Sequence, residues 1–184
     1  MSERTGTVSN LKIGDSALDF ELRGVDGLLH RLADYADKPA LAVIFTCNHC
    51  PYVLAWEDRL MALQNEFAWQ GFQIVTINAN DAIKYPTDDF ASMQKHAQEK
   101  AFPYPYLHDE SQAVARAYGA ERTPEIFLFD ATRSLRYHGA PDDNYDDPSA
   151  VRMPYLRQAV EALLAGSSPE IAQTPPVGCT VKWK

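Results

Sequence analysis

Cysteine is scarce in this chain: three residues in 184, at positions 47, 50 and 179. That odd, small number excludes a framework of structural disulfides, which needs many paired cysteines in a short chain. Long hydrophobic runs are missing as well. The longest strongly apolar stretch is residues 40–45, ALAVIF, far below the ~20 residues that a membrane-spanning helix requires. Positive charge is in deficit, with 17 Lys and Arg against 25 Asp and Glu and a net charge of −8. Nucleic acid and anionic membrane both select a basic surface, so neither is an expected partner. The opening MSERTGTVSN has no apolar segment of the kind a secretory leader carries. The expected compartment is therefore the cytoplasm, where thiols are kept reduced.

What is present reads as an ordinary globular composition, 46% hydrophobic and 23% charged, with no internal repeat. The expected organisation is a loose N-terminus over 1–12, one domain over 13–166 and a tail over 167–184 packing on that domain. Residues 17–24 alternate through Leu18, Phe20 and Leu22 as a strand does, and VDG supplies the turn. Two continuous apolar runs, 40–46 and 72–78, have the pattern of strands buried on both faces of a parallel sheet. Between them Val53, Trp56, Leu60, Leu63 and Phe67 form a helical stripe, with Glu57, Asp58, Gln64, Asn65 and Glu66 off it, and Gly71 closes the segment. Further helices are expected from Thr87, with Asp88 and Asp89 in the first turn, from a capping box of Asp109 and Gln112 to Gly119, and over 149–165. Residues 125–130 and 134–139 read as two more strands. The expected class is α/β, a central sheet flanked by helices.

The chemistry concentrates in TCNHCPY, residues 46–52. Two cysteines at this spacing can be half a zinc site, a redox dithiol or a peroxide-reducing thiol. Placement narrows the choice, because the motif follows a buried strand at its carboxyl end, where open α/β sheets carry their chemistry, and leads into a helix. Helix N-termini present unpaired N–H groups that stabilise a thiolate, bringing the thiol pKa from about 8.5 into a range of roughly 3.5–7.5. Cys47 is expected at the helix entrance, as the more acidic and more exposed thiol, with Cys50 one turn further in. Asn48 and His49 lie between them, and a protonated His49 would favour the Cys47 thiolate. A metal site needs three or four ligands, which His49 and Cys179 could complete only if the tail folds back, so no metal is expected and no organic cofactor is implied. Inert packing of the cysteines is the plain alternative. Asn78, Asn80 and Asp81 should rim the same sheet edge, whereas the acidic loop 142–147 lacks the glycine and terminal glutamate of a calcium loop. His30, His96, His108 and His138 share no motif.

IGDSALDFEL (13–22), ALAVIFTCNHCPY (40–52) and GAERTPEIFLFD (119–130) together resemble the thioredoxin-like superfamily, in its redoxin branch of peroxiredoxins and AhpC/TSA-like proteins. The resemblance implies a thioredoxin-like fold: a central mixed sheet flanked by helices, with an N-terminal strand extension and a C-terminal tail. It implies a thiol–disulfide oxidoreductase in which Cys47 attacks a substrate disulfide and Cys50 resolves the mixed disulfide. Asn48 and His49 support the pair, and Thr123 with a cis Pro124 presents backbone to the substrate. The implied partners are a disulfide-containing protein or small molecule and a thiol reductant. A peroxiredoxin-like thiol peroxidase, an antioxidant role, is the neighbouring alternative. That branch carries PxxxTxxC and an arginine, and the corresponding positions here hold Val43, Cys47 and Pro124. Finally, Val177, Cys179, Val181 and Trp183 alternate as a short edge strand with Cys179 packed inside, although peroxiredoxins often keep a resolving cysteine near the C-terminus, so Cys179 is a candidate third redox cysteine.

Overall fold

The computed structural model describes residues 11–184. The expectation of a loose N-terminus over 1–12 thus falls outside the described residues except for Leu11 and Lys12, and Leu11 is buried in the core. The two apolar runs form strands β3 (Ala40–Thr46) and β4 (Phe72–Asn78), paired in parallel from Ala40 opposite Phe72 to Thr46 opposite Asn78. Around them stand β1 (Glu21–Gly24), β2 (Leu29–Arg31), β5 (Tyr106–His108), β7 (Glu125–Asp130) and β8 (Leu135–Gly139). Their order is β2-β1-β5-β4-β3-β7-β8, with β5 parallel to β4 while β1, β7 and β8 run antiparallel to their neighbours. The sheet is mixed and seven-stranded.

Alternation along the central strands splits the core in two. Leu41, Val43, Phe45, Val75, Ile77, Phe127 and Phe129 face one way. Ala42, Ile44, Ile74, Ile126 and Leu128 face the other and meet Leu60, Leu63, Phe67, Leu156 and Val160. The latter five come from α1 (Pro51–Phe67) and α4 (Tyr155–Leu164). Each such Val, Leu, Ile or Phe side chain taken from water contributes about 1.5–3 kcal/mol, and β3 carries no polar residue before Thr46.

Several local readings shift. Glu57 and Gln64, expected off the α1 stripe, are buried. Gln64 reaches past the stripe to the sheet, donating to the Phe72 carbonyl (2.9 Å) and accepting from Ile74 N–H (2.6 Å). The helix expected at Thr87 is α2 (Phe90–Lys100), capped by Asp89, whose carboxylate accepts from Ser92 N–H at 2.7 Å. Asp88 therefore lies before the helix and turns inward. α3 spans Ala113–Tyr118, and Gln112 stands at its N-cap without a capping bond. The Gln112 amide donates instead to the carbonyls of Ala79 and Lys182. Pro154 is the N-cap of α4, so that helix is shorter than expected. The three-residue β5 leaves no periodic signature in the sequence.

Two short strands complete the architecture: β6 (Arg122–Thr123) and β9 (Cys179–Thr180), antiparallel, with Thr123 opposite Cys179. The end of the tail is laced across the carboxyl edge of the central strands. Val181 N–H donates to Glu121 O, Lys182 N–H to Asn80 Oδ1, and Asp81 N–H to Lys182 O.

Candidate active site

Cys47 follows the last residue of β3, and Cys50 is the N-cap of α1, with Pro51 at the first helical position. This differs from the expected register. Proline cannot donate inside a helix and is suited to its first position, so Pro51 starts the helix after Cys50. The residue at the helix entrance is Cys50, and Cys47 lies in the preceding turn. Both thiols are free and buried, 2% exposed for Cys47 and 0% for Cys50.

Thr123 contacts both sulfurs. Its hydroxyl is 3.6 Å from Cys47 Sγ, and its carbonyl accepts from the Cys50 thiol at 3.3 Å. The Thr123–Pro124 peptide is cis. Cys179, opposite Thr123, packs against Cys47, Cys50 and Val53. Gly178 makes this approach feasible: a Cβ there would stand 2.1 Å from the Thr123 carbonyl oxygen.

The hydrogen bond between Cys47 and Cys50 moves their pKa values in opposite directions. The hydrogen bond shared with Cys47 is the first cause that pulls Cys50 well below the ordinary thiol range. Cys179 and the Val53 N–H add to it, while burial opposes. Cys47 is pushed up, first by that same shared bond, then by burial and by the Asp88 carboxylate. The Thr123 carbonyl holds the proton when Cys50 is a thiol. Cys50 also stands at the N-cap of α1, a position whose unpaired N–H groups favour a thiolate. Cys179 is pushed up to about 11 by burial and by Cys50.

Asn48 and His49 bond into a network on the Cys47 side of the pair, centred on Asp88, which is 0% exposed. Asp88 Oδ1 accepts from Asn48 N–H (2.7 Å) and the Asn78 amide (3.1 Å). Asp88 Oδ2 accepts from the Asn80 amide (3.0 Å) and lies 2.8 Å from His49 Nδ1. Tyr106, its hydroxyl acidity suppressed by burial, donates to Asn48 Oδ1 at 2.6 Å. His49 also stacks on Tyr85. Asn78 and Asn80 thus hold the CxxC turn, as their place on the sheet edge suggested, whereas Asp81 engages the tail through its backbone. Asp88 and Tyr106 were not legible as site residues, because neither stands in a motif and only folding brings them to the turn. Gly178 left a faint signal, a glycine inside an alternating stretch.

Among the described residues, Cys47, His49 and Asp88 form one trio whose ligand atoms lie within 4.8 Å of one another. Both Asp88 oxygens are already engaged by N–H donors from Asn48, Asn78 and Asn80, which tie the turn to the sheet.

Residues 13–138 match the model of the AhpC/TSA family. Thiol-disulfide oxidoreductase ResA of Geobacillus thermodenitrificans is 26% identical over 126 residues, 67% of either chain. A solved hypothetical protein from Sinorhizobium meliloti 1021 is 39% identical with a TM-score of 0.90, covering 95% of this chain and 96% of that one. Peroxidoxin BcpB from Mycobacterium tuberculosis is 25% identical with a TM-score of 0.58, covering 69% and 84%. The mixed sheet and its flanking helices are those of the thioredoxin-like redoxins, and with the family model spanning more than half of its length this chain belongs to the AhpC/TSA family.

Proposed function

We propose that this chain is a thiol–disulfide oxidoreductase working through Cys47 and Cys50. The observation that carries the reading is the place of the pair: two free thiols between the end of a parallel strand, a helix N-terminus and the Thr123–Pro124 peptide. The partners are a disulfide-bearing protein or small molecule and a thiol reductant, in a cytoplasmic setting that keeps the pair reduced.

The sequence reading has Cys47 attack and Cys50 resolve, because it puts Cys47 at the helix entrance. With Cys50 in that position, the same physical argument assigns the thiolate to Cys50. Its sulfur attacks one sulfur of the substrate disulfide, and the other leaves as a thiolate. Cys47, losing its proton, then attacks Cys50 in the mixed disulfide, forming Cys47–Cys50 and releasing the second substrate sulfur. The reductant reverses both exchanges. Asn48 and His49 hold the turn through Asp88, and Thr123 and Pro124 present backbone beside the sulfurs.

Peptide mapping of the oxidised chain should find a Cys47–Cys50 disulfide, and Cys47→Ser or Cys50→Ser should abolish turnover of a disulfide substrate. Retained turnover in both variants would remove the dithiol from the mechanism. Limited alkylation of the reduced chain near pH 6 should label Cys50 ahead of Cys47, and the reverse order would restore Cys47 as the attacking sulfur.

A further inference from the structure

Cys47 and Cys50 are sealed from solvent, yet a third thiol lies against them that is only partly buried. The antiparallel register places Cys179 directly opposite Thr123, the residue whose hydroxyl and carbonyl touch Cys47 and Cys50. Cys179 packs on Cys50 and retains intermediate exposure. The chain approaches so closely at Gly178 that no side chain fits between the tail and the Thr123 carbonyl. Two further ties, Val181 N–H to Glu121 O and Lys182 N–H to Asn80 Oδ1, hold the strand in register on the far side. A cysteine serving only as apolar filler needs no such alignment with a buried dithiol. Cys50, whose thiol donates to the Thr123 carbonyl, and Cys179, paired with Thr123 across the strands, meet at the same residue.

We propose that Cys179 is a third redox sulfur, which exchanges with the Cys47–Cys50 disulfide at Cys50 and connects the sealed pair to a thiol reductant outside. This rests on the dithiol reading above. In the oxidised chain Cys179 gives up its proton and attacks Cys50 Sγ. The Cys47–Cys50 bond breaks, Cys50–Cys179 forms, and Cys47 leaves as a thiolate that takes up a proton. No electrons are gained or lost in this exchange. A dithiol reductant then attacks Cys179 at the partly exposed end and expels Cys50 as its thiolate, a good leaving group because a low-pKa thiol departs faster. The second thiol of the reductant attacks the mixed disulfide, so the reductant becomes a disulfide and Cys179 a thiol. Three cysteines thereby pass two electrons from the partly exposed Cys179 to the buried pair.

The test uses the full chain. Cys47→Ser, oxidised with diamide, should form an intramolecular Cys50–Cys179 disulfide found by peptide mapping. If Cys179 instead stays a free thiol while Cys50 is oxidised, the proposal fails. Cys179→Ser should still form Cys47–Cys50 on oxidation, but dithiothreitol should reduce that bond at least tenfold more slowly. An unchanged rate overturns the relay. Should Cys179→Ser fail to fold, Gly178→Ala keeps all three sulfurs and displaces the strand. It should depress the yield of Cys50–Cys179 in the Cys47→Ser background, and an undiminished yield would count against the strand's role. Absence of Cys47–Cys50 in the oxidised wild-type chain would instead defeat the dithiol reading itself, so the two failures are distinguishable.

Discussion

On the Cys47 side of the dithiol the neighbours that fix the chain are side chains: Asp88, Asn78, Asn80, Tyr106 and His49, all gathered around one buried carboxylate. On the Cys50 side they are backbone: the Thr123 carbonyl and a strand pair only two residues long on either partner. The first flank has many mutually dependent hydrogen bonds in a low-dielectric pocket, where such networks are strong when complete. The second has few bonds and belongs to a tail. The expected difference is that the turn is harder to displace than the strand pair.

Asp88→Ala tests the rigid flank and should have the largest effect. It strands His49, two buried amides and the Asn48 N–H together, and each buried donor left without a partner costs about 1–3 kcal/mol. Urea unfolding measures it. A loss below about 1 kcal/mol would mean that the network follows the turn and does not hold it.

The pH dependence of stability separates the two sulfurs. Cys50 lies below the ordinary thiol range when folded, so between its folded pKa and about 8.5 the unfolded chain binds one more proton. Stability should rise with pH across that window, by up to about 1.4 kcal/mol per pH unit. Above about 8.5 the unfolded chain loses both thiol protons while Cys47, pushed up, retains one, and stability should fall. Unfolding curves of wild type minus Cys50→Ser, followed over pH, should show the rising limb. A flat difference would place the charge elsewhere.

Gly178→Ala probes the openable flank. The added Cβ meets the Thr123 carbonyl, and overpacking of this kind costs about 1–3 kcal/mol. Because the strand can move away, the expected outcome is a smaller stability loss than for Asp88→Ala, with faster alkylation of Cys50. Protection of Cys50 equal to wild type would show that β9 does not shield it.

The smallest effect belongs to Thr123→Val. A hydroxyl 3.6 Å from sulfur is a weak partner, and its loss should change stability by less than about 1 kcal/mol. Cys47 reactivity should shift slightly and Cys50 reactivity not at all, since Cys50 contacts the backbone carbonyl, which valine keeps.

Much of the fold was legible because its signals are periodic. β3 and β4 coincide with the two apolar runs, and the α1 stripe is buried as spaced. The misreadings fall where one residue has two competing uses. Gln112 caps nothing because its amide satisfies buried carbonyls of the sheet edge and the tail. Asp88 and Asp89 look alike in sequence, yet only Asp89 caps a helix while Asp88 supports the site. Pro51 was the available sign that the helix begins after Cys50, and it decides which cysteine is the N-cap.

The sequence by itself determined the element types at the centre of the sheet, the placement of a CxxC between strand and helix, and the Thr-Pro ahead of the next strand. These depend on local spacing and on which residues can leave water. Only the tertiary structure decided that Asp88 and Tyr106 brace the turn and that Cys179 stands against Cys50. Those residues are separated from the motif by 38 to 129 positions, and no local pattern encodes the meeting. It follows from the pairing of β6 with β9 and from the demand that every buried N–H and carboxylate oxygen find a partner.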